Sequence, residues 1–207
     1  MRGLVLTGGR FGGSDTVRVM AGDGRELAVV ARRGATLLRW NPTVGDEPDG
    51  LLDGYVDGAE FDAQAGVRSG LMAPFSNRIR DGHYTFDGER HQLQPVLAAQ
   101  EELVFHGFLR VLDCEIVDTE VTDTSARVRL ATKAIRPGVY AGYPFAIDLE
   151  VEYTVSQDEL TLEIVGRNVG DRVAPYSCGW HPYFRLGRRG VDPLELHVPA
   201  RTRINTD

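Results

Sequence analysis

The sequence predicts an all-β protein, an antiparallel β-sandwich, and three observations carry that prediction. Segments that alternate apolar and polar residues with period two recur along the chain. Turn signals separate them. No segment sustains helical periodicity over the roughly ten residues that would argue a helix, so βα alternation is absent. No fixed-period repeat is visible, which disfavours solenoids and propellers. At 207 residues the chain suffices for one large all-β domain, and it is read as a single domain over 1–207.

The elements follow in order. Gly8-Gly9-Arg10-Phe11-Gly12-Gly13 has the look of a dinucleotide loop, but that motif needs a helix next. Asp15–Met20 alternates instead and reads as a strand, so residues 1–14 are expected to be flexible linker or turn. Glu26–Ala31 follows the Gly22-Asp23-Gly24 turn and Ala35–Trp40 follows Gly34, which makes the first forty or so residues a β-meander. Residues 41–66, rich in Asp, Gly and Pro, read as loops. His83–Leu93 carries Asp87-Gly88 between alternating residues, the signature of a two-residue hairpin with a type I′ turn. Val111–Val117, Ala126–Thr132, Phe145–Val155 and Leu160–Val165 then read as strands.

In the third of these strands Ile147, Leu149, Val151 and Tyr153 share one face and Asp148, Glu150 and Glu152 the other. Three carboxylates in such a row could be metal ligands or a glycosidase pair. The simpler reading is the wet face of a half-buried strand, with Arg127 and Arg129 on a neighbour.

Composition excludes several function classes. The net charge of −7 leaves no basic surplus for a nucleic acid or an anionic membrane. No apolar run approaches the ~20 residues that span a bilayer. Cys114 and Cys178, two isolated thiols, form neither a disulfide framework nor a zinc site. The N-terminus turns to glycines before a signal-peptide core develops. The expectation is a cytoplasmic protein, monomeric or homodimeric, with no metal and no cofactor.

Chemistry concentrates in three places. Ala174-Pro175-Tyr176-Ser177-Cys178-Gly179-Trp180-His181-Pro182-Tyr183-Phe184 sets one histidine among aromatic rings, with Pro182 biasing His181 toward extended backbone. Asn77-Arg78-Ile79 precedes the hairpin and His106-Gly107 follows it. Each alone has a plain structural reading: a core histidine, a surface ion pair, two turn residues. Trp180 reads as core more readily than as a sugar platform. His83, His91 and His197 have no motif around them.

The ordered set, with Gly82, the hairpin glycine Gly88, Leu93 and the strands before Pro175-Tyr176, resembles the aldose 1-epimerase (galactose mutarotase) family from about Val17 to the last residue. The resemblance implies a galactose mutarotase-like supersandwich that interconverts the α and β anomers of a hexose. That reaction takes a proton from the O1 hydroxyl and gives one to the ring oxygen; the ring opens, C1 turns, and the ring recloses. Imidazole suits such work because its proton affinity lies near neutrality. By resemblance, His181 is the acid at the ring oxygen and His106 a second polar contact there. Arg78 and Asn77 would hold sugar hydroxyls, and Tyr183 would line the pocket. The family's general-base glutamate and a sugar-binding aspartate lie beyond the His-x-Tyr-Phe strand. Neither can be carried onto this sequence, and Asp207 follows too soon to serve. The chain is therefore expected to be the N-terminal two-thirds of the sandwich, incomplete at the C-terminus and impaired in turnover. A non-catalytic carbohydrate-binding module of the same fold is the alternative.

Overall fold

The computed structural model describes residues 3–43, 50–97, 103–186 and 190–202. Two four-stranded antiparallel sheets dominate it. The first is a meander of β1 (Val5–Phe11), β2 (Ser14–Met20), β3 (Glu26–Ala31) and β4 (Leu37–Trp40), paired in sequence order. The second runs β10 (Glu115–Val121), β11 (Ala126–Ile135), β12 (Ile147–Val155) and β13 (Leu160–Asn168), also in sequence order. Antiparallel pairing of consecutive strands accounts for both, through short turns everywhere except the longer 136–146 connection between β11 and β12.

One apolar core receives side chains from both sheets. Val19, Leu27, Ala28, Val30 and Leu37 come from the meander, and Val128, Leu130, Ile147, Leu149, Val151 and Tyr153 from the second sheet. Strand β12 alternates buried and half-buried residues along its whole length, as its sequence requires. Its outer carboxylates meet arginines. Glu152 lies 3.0 Å from Arg129 and Glu150 3.4 Å from Arg167, a solvated ladder rather than a catalytic pair. Between the sheets the Tyr153 hydroxyl donates to the Ala35 carbonyl at 2.8 Å.

Three readings of the sequence are corrected. Of the 1–14 stretch expected to be flexible, Val5–Phe11 is β1, in continuous register with β2 from Val5 opposite Met20 to Phe11 opposite Ser14. Ladder hydrogen bonds outweigh the low strand preference of Gly8 and Gly9 there. Within the 41–66 stretch, Gly58–Asp62 forms a short helix α1 whose N-terminus is capped by the Asp57 carboxylate. The strand expected at Val111–Val117 begins instead at Glu115, because Leu109–Val111 closes a single 3-10 turn.

Between the sheets, small paired segments carry the remaining chemistry. Strand β5 (Gly70–Met72) pairs with β14 (Gly179–His181), and β6 (Arg78–Ile79) with β9 (Val104–Phe105). An isolated bridge between Ala73 and Gly107 ties the two pairs together. The expected hairpin is β7 (His83–Phe86) and β8 (Glu89–Gln92); Asp87 and Gly88 both hold positive φ, at 50° and 78°, as a type I′ turn demands.

Candidate active site

The site is assembled by backbone register. Arg78 lies opposite Phe105 in the β6–β9 pair, so the next residue, His106, donates its backbone N–H to the Asn77 carbonyl at 2.9 Å. His106 and Gly107 then take left-handed φ values of 60° and 65° and the chain reverses. Gly107 is obligatory at this point: a Cβ there would lie 2.2 Å from the Ala73 carbonyl oxygen. That same oxygen accepts the N–H groups of Phe108 at 2.7 Å and Leu109 at 3.0 Å, which pins the reversal. On the other pair, His181 lies opposite Gly70, and its carbonyl accepts the Ser69 N–H at 2.9 Å.

These two anchors bring the imidazoles of His106 and His181 to 5.1 Å between ring centroids, inclined at 68°. Tyr183 stacks on His181 at 5.3 Å and remains 41% exposed, so one side of that pair is open to solvent. The Arg78 guanidinium lies 5.8 Å from the Phe105 ring, whose edge meets His106. Asn77, at φ 58°, is exposed beside it. All five residues singled out in the sequence therefore belong to one neighbourhood: His106, His181 and Tyr183 through direct ring contact, Arg78 through Phe105, and Asn77 through its backbone. Trp180 packs against the core and on Phe184.

His106 is buried, at 6% exposure, and its Nδ1 has no hydrogen-bond partner among the described residues. A buried polar atom of this kind calls for a ligand or water to complete it. Burial first, then the nearby His181, Arg110 and Arg78, push its pKa down to about 4. It is a neutral imidazole at neutral pH, able to give one hydrogen bond and accept one.

Arg110 was not foreseen in the sequence. It is fully buried, with its guanidinium 4.9 Å from the Phe105 centroid. The available signal was a lone arginine inside the apolar run Phe108-Leu109-Arg110-Val111, where a cation has no business unless something needs it. Asp207 lies outside the described residues. Among the described residues no three His, Cys, Asp or Glu side chains gather in a way that could hold a metal, and no helix is long and apolar enough to cross a membrane.

The model of the aldose 1-epimerase family matches residues 17–207. The chain belongs to that family. The chain is similar to the uncharacterized protein YihR of Escherichia coli (strain K12), 34% identical over 131 residues, 63% of this chain and 40% of YihR. Among solved structures, a galactose mutarotase-like protein from Clostridium acetobutylicum superposes with a TM-score of 0.70 at 19% identity, over 88% of this chain and 54% of that one. The galactose 1-epimerase from Lactobacillus acidophilus NCFM gives 0.67 at 17% identity, over 90% of this chain and 54% of that one. Both share the galactose mutarotase-like sandwich. The chain thus spans about half the length of the aldose 1-epimerase relatives it matches.

Proposed function

We propose that this chain supplies the acid side of an aldose 1-epimerase site, acting on the anomeric centre of a hexose. The observation that carries the reading is the meeting of His106 and His181 at 5.1 Å, with the buried Nδ1 of His106 lacking a partner among the described residues. In this reading His181 delivers a proton to the ring oxygen as the C1–O5 bond breaks and O1 becomes the aldehyde oxygen. His106, uncharged, spends its hydrogen bond on the same region and steadies the charge that develops there. Arg78 and Asn77 hold hydroxyls at the open rim, and Tyr183 walls the ring.

The proton leaving O1 needs an acceptor. Among the described residues the groups acting on His106 are His181, Arg110 and Arg78, none of them a carboxylate. A pKa of about 4 makes His106 itself a weak base. That observation favours a second reading, sugar binding without turnover, for these 207 residues.

Polarimetry on freshly dissolved α-glucose and α-galactose, beside titration calorimetry with the same sugars, tests both. The expected result is binding with at most weak acceleration of the optical-rotation decay, any acceleration vanishing in His181→Ala. A His181→Ala protein that keeps the acceleration overturns the assignment of the acid. A chain that neither binds hexose nor alters the decay overturns the whole reading.

A further inference from the structure

Arg110 is among the largest fully buried side chains of the described residues, and the epimerase roles above do not use it. Burying a guanidinium is expensive, and cores seldom retain one without a use. Its place is set from three directions. The reversal at His106-Gly107 leads straight into the 3-10 turn that carries it. The β3–β4 turn packs on its backbone so closely that a Cβ on Gly34 would lie 2.7 Å from the Arg110 carbonyl oxygen. The Gly34 N–H donates to the Leu112 carbonyl at 2.6 Å, locking the turn to the meander. The guanidinium then lies 4.9 Å from the Phe105 ring, inside the range of a cation–π contact, and the same ring meets His106 edge-on at 4.9 Å.

We infer that Arg110 is a positioning residue: a buried guanidinium that packs on Phe105, holds the adjoining His106 ring edge-on to it, and presents a fixed positive charge beside that ring. The groups facing His106 are His181 from β14, Arg78 from β6 and Arg110 from the turn. Arg78 is exposed and screened by water, so the buried charge acts through the lower dielectric. Burial brings the Arg110 pKa down to about 10, which leaves it cationic at neutral pH. Tyr55, which interacts with it, is pushed up to about 12 and stays an uncharged phenol. A proton on His106 would therefore meet a standing cation, and the imidazole remains a neutral hydrogen-bonding group. The use of this arrangement in catalysis rests on the proposed function; the coupling itself does not.

The test reads His106 directly, by NMR of histidine-labelled chain across pH 4–8, in wild type, Arg110→Lys and Arg110→Met. In folded Arg110→Met the His106 midpoint is expected to rise by about half a pH unit, roughly a threefold gain in proton affinity, with Arg110→Lys closer to wild type. A folded Arg110→Met whose His106 midpoint and ring shifts match wild type overturns the inference. Should Arg110→Met fail to fold, the wild-type Arg110 Nε–H resonance decides: it is expected to shift through the His106 titration, and indifference to that titration overturns the inference. No sugar enters these measurements. Coupling seen in a chain that binds no hexose would refute the proposed function and leave the role of Arg110 standing.

Discussion

His106 and His181 face each other at 5.1 Å, yet they hang from different strand pairs, β9 beside β6 and β14 beside β5. Their separation depends on the Ala73–Gly107 bridge that ties those pairs. A methyl group on Gly107 has nowhere to go, at φ 65° with the Ala73 carbonyl in its path. Gly107→Ala is expected to lower stability by about 3 kcal/mol or more in urea denaturation, or to prevent folding. Gly88→Ala, also at positive φ but facing open space, is the control and should lose only about 1 kcal/mol. Equal losses would show that the bridge is not under steric constraint.

The depressed pKa of His106 carries a pH dependence of known sign. The unfolded chain takes up a proton near pH 6.5 and the folded chain only near pH 4. Unfolded protein therefore binds more protons across that window, and stability is lost as the pH falls through it. The loss attributable to this residue is on the order of 1–3 kcal/mol. Asparagine tolerates the left-handed backbone here, so His106→Asn should flatten the slope of stability against pH between about 4 and 6.5. Parallel slopes for the two proteins would disprove the shift.

Tyr153 donates its buried hydroxyl to Ala35 across the core, a hydrogen bond that links β12 to the turn before β4. Removing it in Tyr153→Phe leaves the Ala35 carbonyl short of a donor. The expected loss is about 1–2 kcal/mol, read by chemical denaturation, with no change in sugar binding.

Arg78 is exposed and contributes little to packing beyond its reach toward Phe105. Arg78→Ala should change stability by less than about 0.5 kcal/mol. Under the proposed function it should nevertheless weaken hexose binding about tenfold in calorimetry, with Arg78→Lys intermediate because lysine keeps the charge and loses the planar fork. Unchanged affinity in Arg78→Ala would remove this residue from the site.

Much of the architecture was legible in one dimension. The alternation Ile147, Leu149, Val151, Tyr153 settles which face of β12 is buried, because side chains on a strand repeat every two residues. Asp87-Gly88 announces its hairpin, since few other dipeptides accept positive φ twice in succession. His106, His181 and Arg78 could be named because their order along the chain resembles the family's motifs, not because any one of them stands out alone. Local preference misled at Gly8 and Gly9, where pairing with β2 supplied what glycine lacks.

What the sequence by itself determined is therefore the all-β pattern, the turn chemistry and the family motifs that nominate the candidate side chains. Only the tertiary structure decided that Arg110 is buried beside Phe105, that Tyr183 stacks on His181, and that His106 is held uncharged. The burial of Arg110 and the meeting of His106 with His181 depend on distances between segments far apart along the chain. Proton affinity in turn follows desolvation and neighbouring charge, which no stretch of residues contains until the strands have paired.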